Sequence, residues 1–134
     1  MLAYLADSWF FIALLDRRDS HYRQAHRLGA RILGAKIVTH DAVLTEVLAF
    51  FAEEGASLRR ATAEMVRDTL RIHEVITPDR PLFLRALTRY EQRPDKDYSL
   101  VDCMSMVVME ERGIRHVLTN DHHFSQAGFT VINQ

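Results

Sequence analysis

Leu2-Ala3-Tyr4-Leu5-Ala6-Asp7-Ser8 opens the chain with a short apolar run that meets a carboxylate without a spacer. A run of this length and character reads as a buried strand, Leu2 to Ala6, that stops at Asp7. Ser8 to Leu15 is apolar almost all round and reads as a buried helix. Outward from this pair the same alternation repeats. A helix is predicted over Ser20 to Leu33, with Tyr22, Ala25, Leu28 and Ile32 on one side and Gly34 ending it. Strands are predicted at Lys36 to Thr39, Ile72 to Ile76, His116 to Thr119 and Thr130 to Asn133. Further helices are predicted at Asp41 to Glu54, Ser57 to Leu70, Asp79 to Arg93 and Ser99 to Arg112, with Pro81 tolerated in the first turn of its helix. Strands alternating with helices specify an α/β fold built of βαβ units, a mainly parallel sheet and helices on both faces. In such sheets ligands sit outside the carboxyl ends of the strands.

No linker, repeat or low-complexity stretch interrupts the 134 residues, so residues 1–134 are expected to form a single domain. The chain is 48% hydrophobic and 26% charged with a formal net charge of −1, so bulk charge singles out neither nucleic acid nor membrane. Lys36 and Lys96 are the only lysines, and the other basic residues are arginines, whose planar fork suits phosphate and carboxylate. Cys103 is the only cysteine, so an internal disulfide is impossible and nothing argues for export. The apolar N-terminus carries Asp7 within it and no positive charge before it, which does not fit a signal peptide. No apolar run is long enough to span a bilayer. The chain is expected in the cytoplasm, with no membrane association.

At the strand ends stand carboxylates. Asp7 follows the first strand, Asp121 follows the His116 strand, Glu46 lies in the helix after the second strand, and Asp102 lies in the first turn of the helix before the fourth. Each of three has a purely structural alternative. Asp7 can cap the next helix, Asp121 can serve the Asn120–Asp121 turn, and Ser99-Leu100-Val101-Asp102 matches a capping box. Glu46 is harder to explain that way. It shares a helix face with Val43, Val47 and Phe50, where a lone carboxylate is costly. Asp102 sits in a segment apolar on most sides. Carboxylates gathered in one pocket repel each other and some take up protons, a penalty that a divalent cation removes. Oxygen ligands without cysteine suit Mg²⁺ or Mn²⁺ rather than zinc. Such ions serve phosphodiester hydrolysis by activating water and clamping phosphate oxygens.

A specific pattern runs through these residues: the opening strand ending in Asp7-Ser8, the Thr45-Glu46 pair, Ser99-Leu100-Val101-Asp102-Cys103, Leu118-Thr119-Asn120-Asp121-His122-His123-Phe124, and the closing Phe124-Ser125-Gln126-Ala127-Gly128-Phe129. In order and spacing over nearly the whole chain it resembles PIN domains, the nuclease family that includes the VapC toxins. The resemblance implies an αβα sandwich with a mainly parallel central sheet and a Mg²⁺- or Mn²⁺-dependent endoribonuclease site. By position it makes Asp7, Glu46, Asp102 and Asp121 the metal-binding acids, with Ser8 as the hydroxyl that often follows the first acid. Asn120 replaces the small or aliphatic residue common before the last acid, a change that touches the surroundings of the site. The resemblance also implies an RNA substrate, a cognate antitoxin encoded beside the chain, and a homodimer.

Other residues carry open alternatives. Asp95 and Asp97 are a solvated loop or an outer acidic shell. His122 and His123, being adjacent, are expected to point apart, so a shared zinc is disfavoured, although one of them can touch a phosphate. Arg23, Arg27 and Arg31, and Arg85, Arg89 and Arg93, form helical stripes that are either solvated faces or a rim for RNA phosphates. Trp9, Phe10 and Phe11 read as core, with Trp9 also placed to stack on a base. A phosphoacceptor signalling domain would need a lysine near the last strand, where neither Lys36 nor Lys96 lies, and gives no reason for Glu46. An RNA-processing nuclease without an antitoxin, and a catalytically silent module that binds RNA or protein, both stay open at this point.

Overall fold

The computed structural model describes residues 2–134. Its strands are β1 (Ala3–Ala6), β2 (Lys36–His40), β3 (Glu74–Ile76), β4 (His116–Leu118) and β5 (Thr130–Ile132), and its helices are α1 (Ser8–Leu15), α2 (Tyr22–Arg31), α3 (Asp41–Phe50), α4 (Ala56–Ile72), α5 (Arg80–Gln92), α6 (Leu100–Arg112) and α7 (His123–Gln126). The strands form one parallel sheet in the order β3-β2-β1-β4-β5. The chain builds outward from β1 to β3, then crosses back over to lay β4 on the other side of β1. The β1–β4 seam is therefore the point where the winding reverses, and crevices at such points are where open α/β sheets bind ligands.

Because side chains alternate along a strand, β1 feeds two cores. Leu5 points into the core under α5 and α6, with Val38, Val117, Met106 and Phe124. Tyr4 and Ala6 point into the opposite core under α1 to α4, with Phe10, Leu28, Val47 and Phe51. Burial on both faces explains why β1 reads as an unbroken apolar run rather than an alternating one. The αβα layering and the parallel sheet are as expected from the sequence.

The differences are at boundaries and in one small helix. Ser20 to His21 form a turn before α2, and Ile32 and Leu33 a turn after it. Helix α3 ends at Phe50, followed by a turn through Glu54, while α4 runs on to Ile72. Ile72 thus belongs to a helix, not to the predicted third strand, which starts at Glu74. Ile72-His73-Glu74-Val75-Ile76 does not alternate strictly, so its first residue is equally compatible with a helix end, and Ile72 is in fact 65% exposed. Phe50 was placed on the buried face with Glu46. It is 54% exposed, and its neighbour Phe51 is the buried ring. Helix α7, four residues long, has no counterpart among the predicted elements, since one turn is too short to show a period. It seats Phe124, fully buried, in the α6-side core.

Candidate active site

Asp7 and Asp121 meet over the β1–β4 seam, and one hydroxyl holds both. Thr119 is fully buried, and its Oγ1 donates to Asp7 Oδ2 at 2.7 Å and accepts the Asp121 N–H at 3.1 Å. Asp7 occupies the N-cap position of α1 but its side chain makes no capping bond, so the structural alternative for this residue fails. Asp121 does serve its turn, accepting the His123 N–H at 2.9 Å, and still carries its charge toward Asp7. Asp102 likewise does both things. Ser99 Oγ accepts the Asp102 N–H at 3.0 Å and Asp102 Oδ2 accepts the Ser99 N–H at 3.2 Å, a complete capping box. That box fixes a nearly buried carboxylate at the mouth of the crevice.

The charges of these acids act on one another. Burial, with the charges of Asp102 and Asp121 added, pushes Asp7 up to about 6 against the opposing Thr119 hydrogen bond. Glu46 is pushed up to about 7, first by burial and then by Asp7, with Asp102 adding to it and the Ser8 hydroxyl opposing. Asp102 is raised by burial and by Asp121. Asp7 thus lies within range of the charges of the other three sequence-predicted acids, and the Ser8 hydroxyl acts on Glu46. Carboxylates held close without a cation retain protons near neutral pH, the behaviour expected of a site built around positive charge.

His123 is the residue that sequence reasoning undervalued. Its Nδ1 lies 3.2 Å from Asp121 Oδ1 and 3.4 Å from Asp102 Oδ2, and it is buried without an aligned hydrogen bond. One ligand atom each from Asp102, Asp121 and His123 lie within 4.8 Å of one another. The two adjacent histidines do not diverge: their ring centroids are 4.8 Å apart and both Nδ1 atoms approach Asp121 Oδ1, His122 from the surface and His123 from within. A buried ring nitrogen between two carboxylates fits a divalent cation, and the donor set is oxygen-dominated with one nitrogen. A second omission is His40. It is fully buried at the end of β2, its Nε2 is 2.8 Å from Ser105 Oγ, and burial holds it down at about 4. This neutral pair ties the strand leading into the Glu46 helix to α6, one turn beyond Asp102.

Several candidates lie elsewhere. Asp95 is exposed and paired with Arg93 at 3.5 Å and Lys96 at 4.0 Å, so it is a loop acid and not an outer shell of the site. Asp97 is exposed on the same loop. Asn120 is turned to the chain end, where Asn133 Nδ2 donates to its Oδ1 at 3.0 Å. Arg85 and Arg89 each pin α5 to α6 through Glu111 and Glu110 at 2.6 Å, so these two act as an interhelical clasp, whereas Arg93 reaches only Asp95 on the loop beyond α5. Arg23 and Arg27 are exposed, and Arg31 bonds the Gln134 carbonyl. Phe10 and Phe11 are core, Trp9 is half-buried edge-on to His21, and Cys103 is buried packing.

A sequence model of the PIN domain matches residues 4–130. The chain belongs to the PIN-domain family. Among relatives, it is 27% identical over 128 residues to the 23S rRNA-specific endonuclease VapC20 of Mycobacterium tuberculosis, covering 94% of this chain and 95% of that protein. The crystal structure of that VapC20, described as a Sarcin–Ricin loop cleaving toxin, matches with a TM-score of 0.88 at 26% identity, over 98% of this chain and 99% of that one. FitAcB from Neisseria gonorrhoeae shares the fold with a TM-score of 0.74 at 14% identity, over 97% of this chain and 96% of that one. VapBC from Salmonella typhimurium, solved bound to DNA, shares it at 0.65 and 17% identity, over 98% of each chain. No helix among the described residues is long and apolar enough to cross a membrane.

Proposed function

We propose that this PIN domain is a divalent-metal-dependent endoribonuclease in which Asp7, Glu46, Asp102 and Asp121 hold Mg²⁺ or Mn²⁺. The observation that carries this reading is the convergence of four carboxylates from separate elements on the β1–β4 seam, two of them pushed up to about 6 and about 7. Bound there, the ion would lower the pKa of water and neutralise phosphate oxygens during hydrolysis. The chain's own part is positioning. Thr119 fixes Asp7, the Ser99 box fixes Asp102, and the α7 turn fixes Asp121. His123 adds a nitrogen beside Asp102 and Asp121. Purified protein should cleave RNA with Mg²⁺ or Mn²⁺ and stop on chelation; absence of divalent-dependent cleavage overturns the assignment. The named target of the mycobacterial relative makes ribosomal RNA the first substrate to assay.

The nitrogen gives a sharper test of the metal centre. Imidazole is a better ligand for Mn²⁺ than for Mg²⁺. His123→Asn should therefore weaken Mn²⁺ binding by about tenfold or more, the scale on which supporting groups tune metal sites, and Mg²⁺ binding by less. Electron-spin-echo spectra of the Mn²⁺-loaded wild type should show nitrogen coupling that the variant lacks. A wild-type spectrum without it places His123 outside the coordination sphere.

The likeness to VapC20 favours the toxin role over an RNA-processing role or a silent module. In this reading the protein is cytoplasmic, single-domain and homodimeric, and a cognate antitoxin restrains it. Expression alone should arrest growth, Asp102→Asn should relieve the arrest, and co-expression of the neighbouring small reading frame should restore growth. Harmless expression of soluble, active wild type would remove the toxin role and leave the nuclease role standing.

A further inference from the structure

Beside the acidic seam lies a cavity of about 510 Å³, formed where α5 ends and the loop into α6 begins, and lined by Tyr90, Glu91, Arg93, Asp97, Tyr98 and Ser99 among others. That volume falls within the roughly 300–1,000 Å³ typical of small-molecule sites. Two of its walls belong to the metal-site scaffold. Ser99 holds Asp102 through the capping box, and the Tyr98 ring stands edge-on to His123 with centroids 5.5 Å apart. We propose that this cavity is a nucleotide subsite that receives a base flanking the cleaved phosphodiester and selects guanine. The proposal rests on the ribonuclease reading and adds the residues that choose the sequence.

The lining supplies the three things such a subsite needs. Tyr90 is half exposed and offers a ring face on which a base can stack. Arg93, held to Asp95 only by an exposed contact of 3.5 Å, supplies positive charge for a phosphate next to a centre rich in carboxylates. Glu91 and Asp97 supply acceptors. Among the described residues neither has a charged partner, whereas Asp95 between them takes both Arg93 and Lys96. A carboxylate only accepts, so it pairs best with two adjacent donors. The guanine N1–H and N2–H₂ edge presents them, while adenine, cytosine and uracil each offer a donor beside an acceptor. Tyr98 is 4% exposed and, among the described residues, its hydroxyl has no hydrogen-bond partner. Asp97 has φ of 56°, a left-handed conformation that Asp and Asn tolerate, so Asp97→Asn can be made without backbone strain.

The test is titration of the full-length protein with GMP, AMP, CMP and UMP, followed by cleavage of RNAs differing only at the bases flanking the cut. GMP should bind about tenfold tighter than UMP. Tyr90→Ala should weaken GMP by about tenfold, the scale of one base stack, and Asp97→Asn should erase the preference among bases. Both variants should raise KM for a guanine-flanked RNA with Mn²⁺ affinity unchanged. Equal binding of the four nucleotides, or cleavage indifferent to both substitutions, overturns the subsite and leaves the ribonuclease reading intact. Absence of cleavage by the wild type overturns both. Loss of GMP binding as the protein self-associates assigns the cavity to a protein interface and overturns the subsite.

Discussion

Asp7→Asn should lower metal-dependent RNA cleavage by roughly 10³-fold or more while leaving the apo protein at least as stable at pH 7.5. Losing a group that only supports a metal ligand typically costs ~10–100-fold, so losing a carboxylate from the centre of the cluster should cost more. The fold tolerates the change for a specific reason. Asn retains an oxygen that can accept the Thr119 hydroxyl, now at 2.7 Å, so the buried hydroxyl keeps its partner. The substitution also removes a buried charge that burial and neighbouring acids disfavour, the cause of the rise to about 6. Asp102→Asn should behave alike, since its amide oxygen can still accept the Ser99 N–H of the capping box. A soluble Asp7→Asn protein with wild-type cleavage would remove Asp7 from the site. A variant that loses cleavage only because it unfolds would show a lower melting temperature, which a thermal scan detects.

The acids were legible because each stands where a strand end or an apolar helix face makes a carboxylate conspicuous. Asp7 interrupts a buried run, and Glu46 follows Val43 and precedes Val47, both fully buried. Their convergence was not legible from spacing, because it depends on β4 lying against β1, a pairing between segments more than a hundred residues apart. For the same reason Thr119 was read only as a strand end. Its role requires seeing Asp7 across the seam. His123 was discounted on the argument that neighbours in sequence diverge, but the two rings lie 4.8 Å apart, and the one-turn helix α7 that rotates His123 inward is too short to leave a periodic trace. The capping box was offered as an alternative to a functional Asp102, yet the two do not exclude each other, since the box is complete and Asp102 still lies 3.4 Å from His123. A cap is an economical way to fix a carboxylate, so local structure and site geometry use the same hydrogen bonds. The arginine stripes illustrate the reverse case. Helical spacing alone cannot tell Arg85 and Arg89, which meet acids on α6, from Arg23 and Arg27, which meet solvent.

Metal and pH should act on stability in opposite directions, and this gives the second large effect. Asp7 and Glu46 have folded-state pKa values raised from 3.8 to about 6 and from 4.5 to about 7. Between the ordinary and the raised values the folded state binds more protons than the unfolded state, so their contribution to stability is complete below about 4 and is lost as pH rises through 6 and 7. His40 pulls the other way, because burial lowers it from 6.5 to about 4 and the unfolded chain takes up that proton first. Comparison with Glu46→Gln cancels His40. The variant should gain melting temperature relative to wild type as pH rises from 5.5 to 7.5. Divalent ions reverse the sign for the wild type, since they bind the deprotonated carboxylates and must displace protons at low pH. At a concentration of about 100 Kd an ion that binds only the folded state adds about 2.7 kcal/mol, or about 10 °C for a chain of this size. That shift should be near its full value at pH 7.5 and should shrink toward pH 5.5 as Glu46 and then Asp7 take up protons. A Mn²⁺-induced shift that is the same at both pH values would mean that the ion binds elsewhere, because no site built on Asp7 and Glu46 can be indifferent to protons that those two side chains hold.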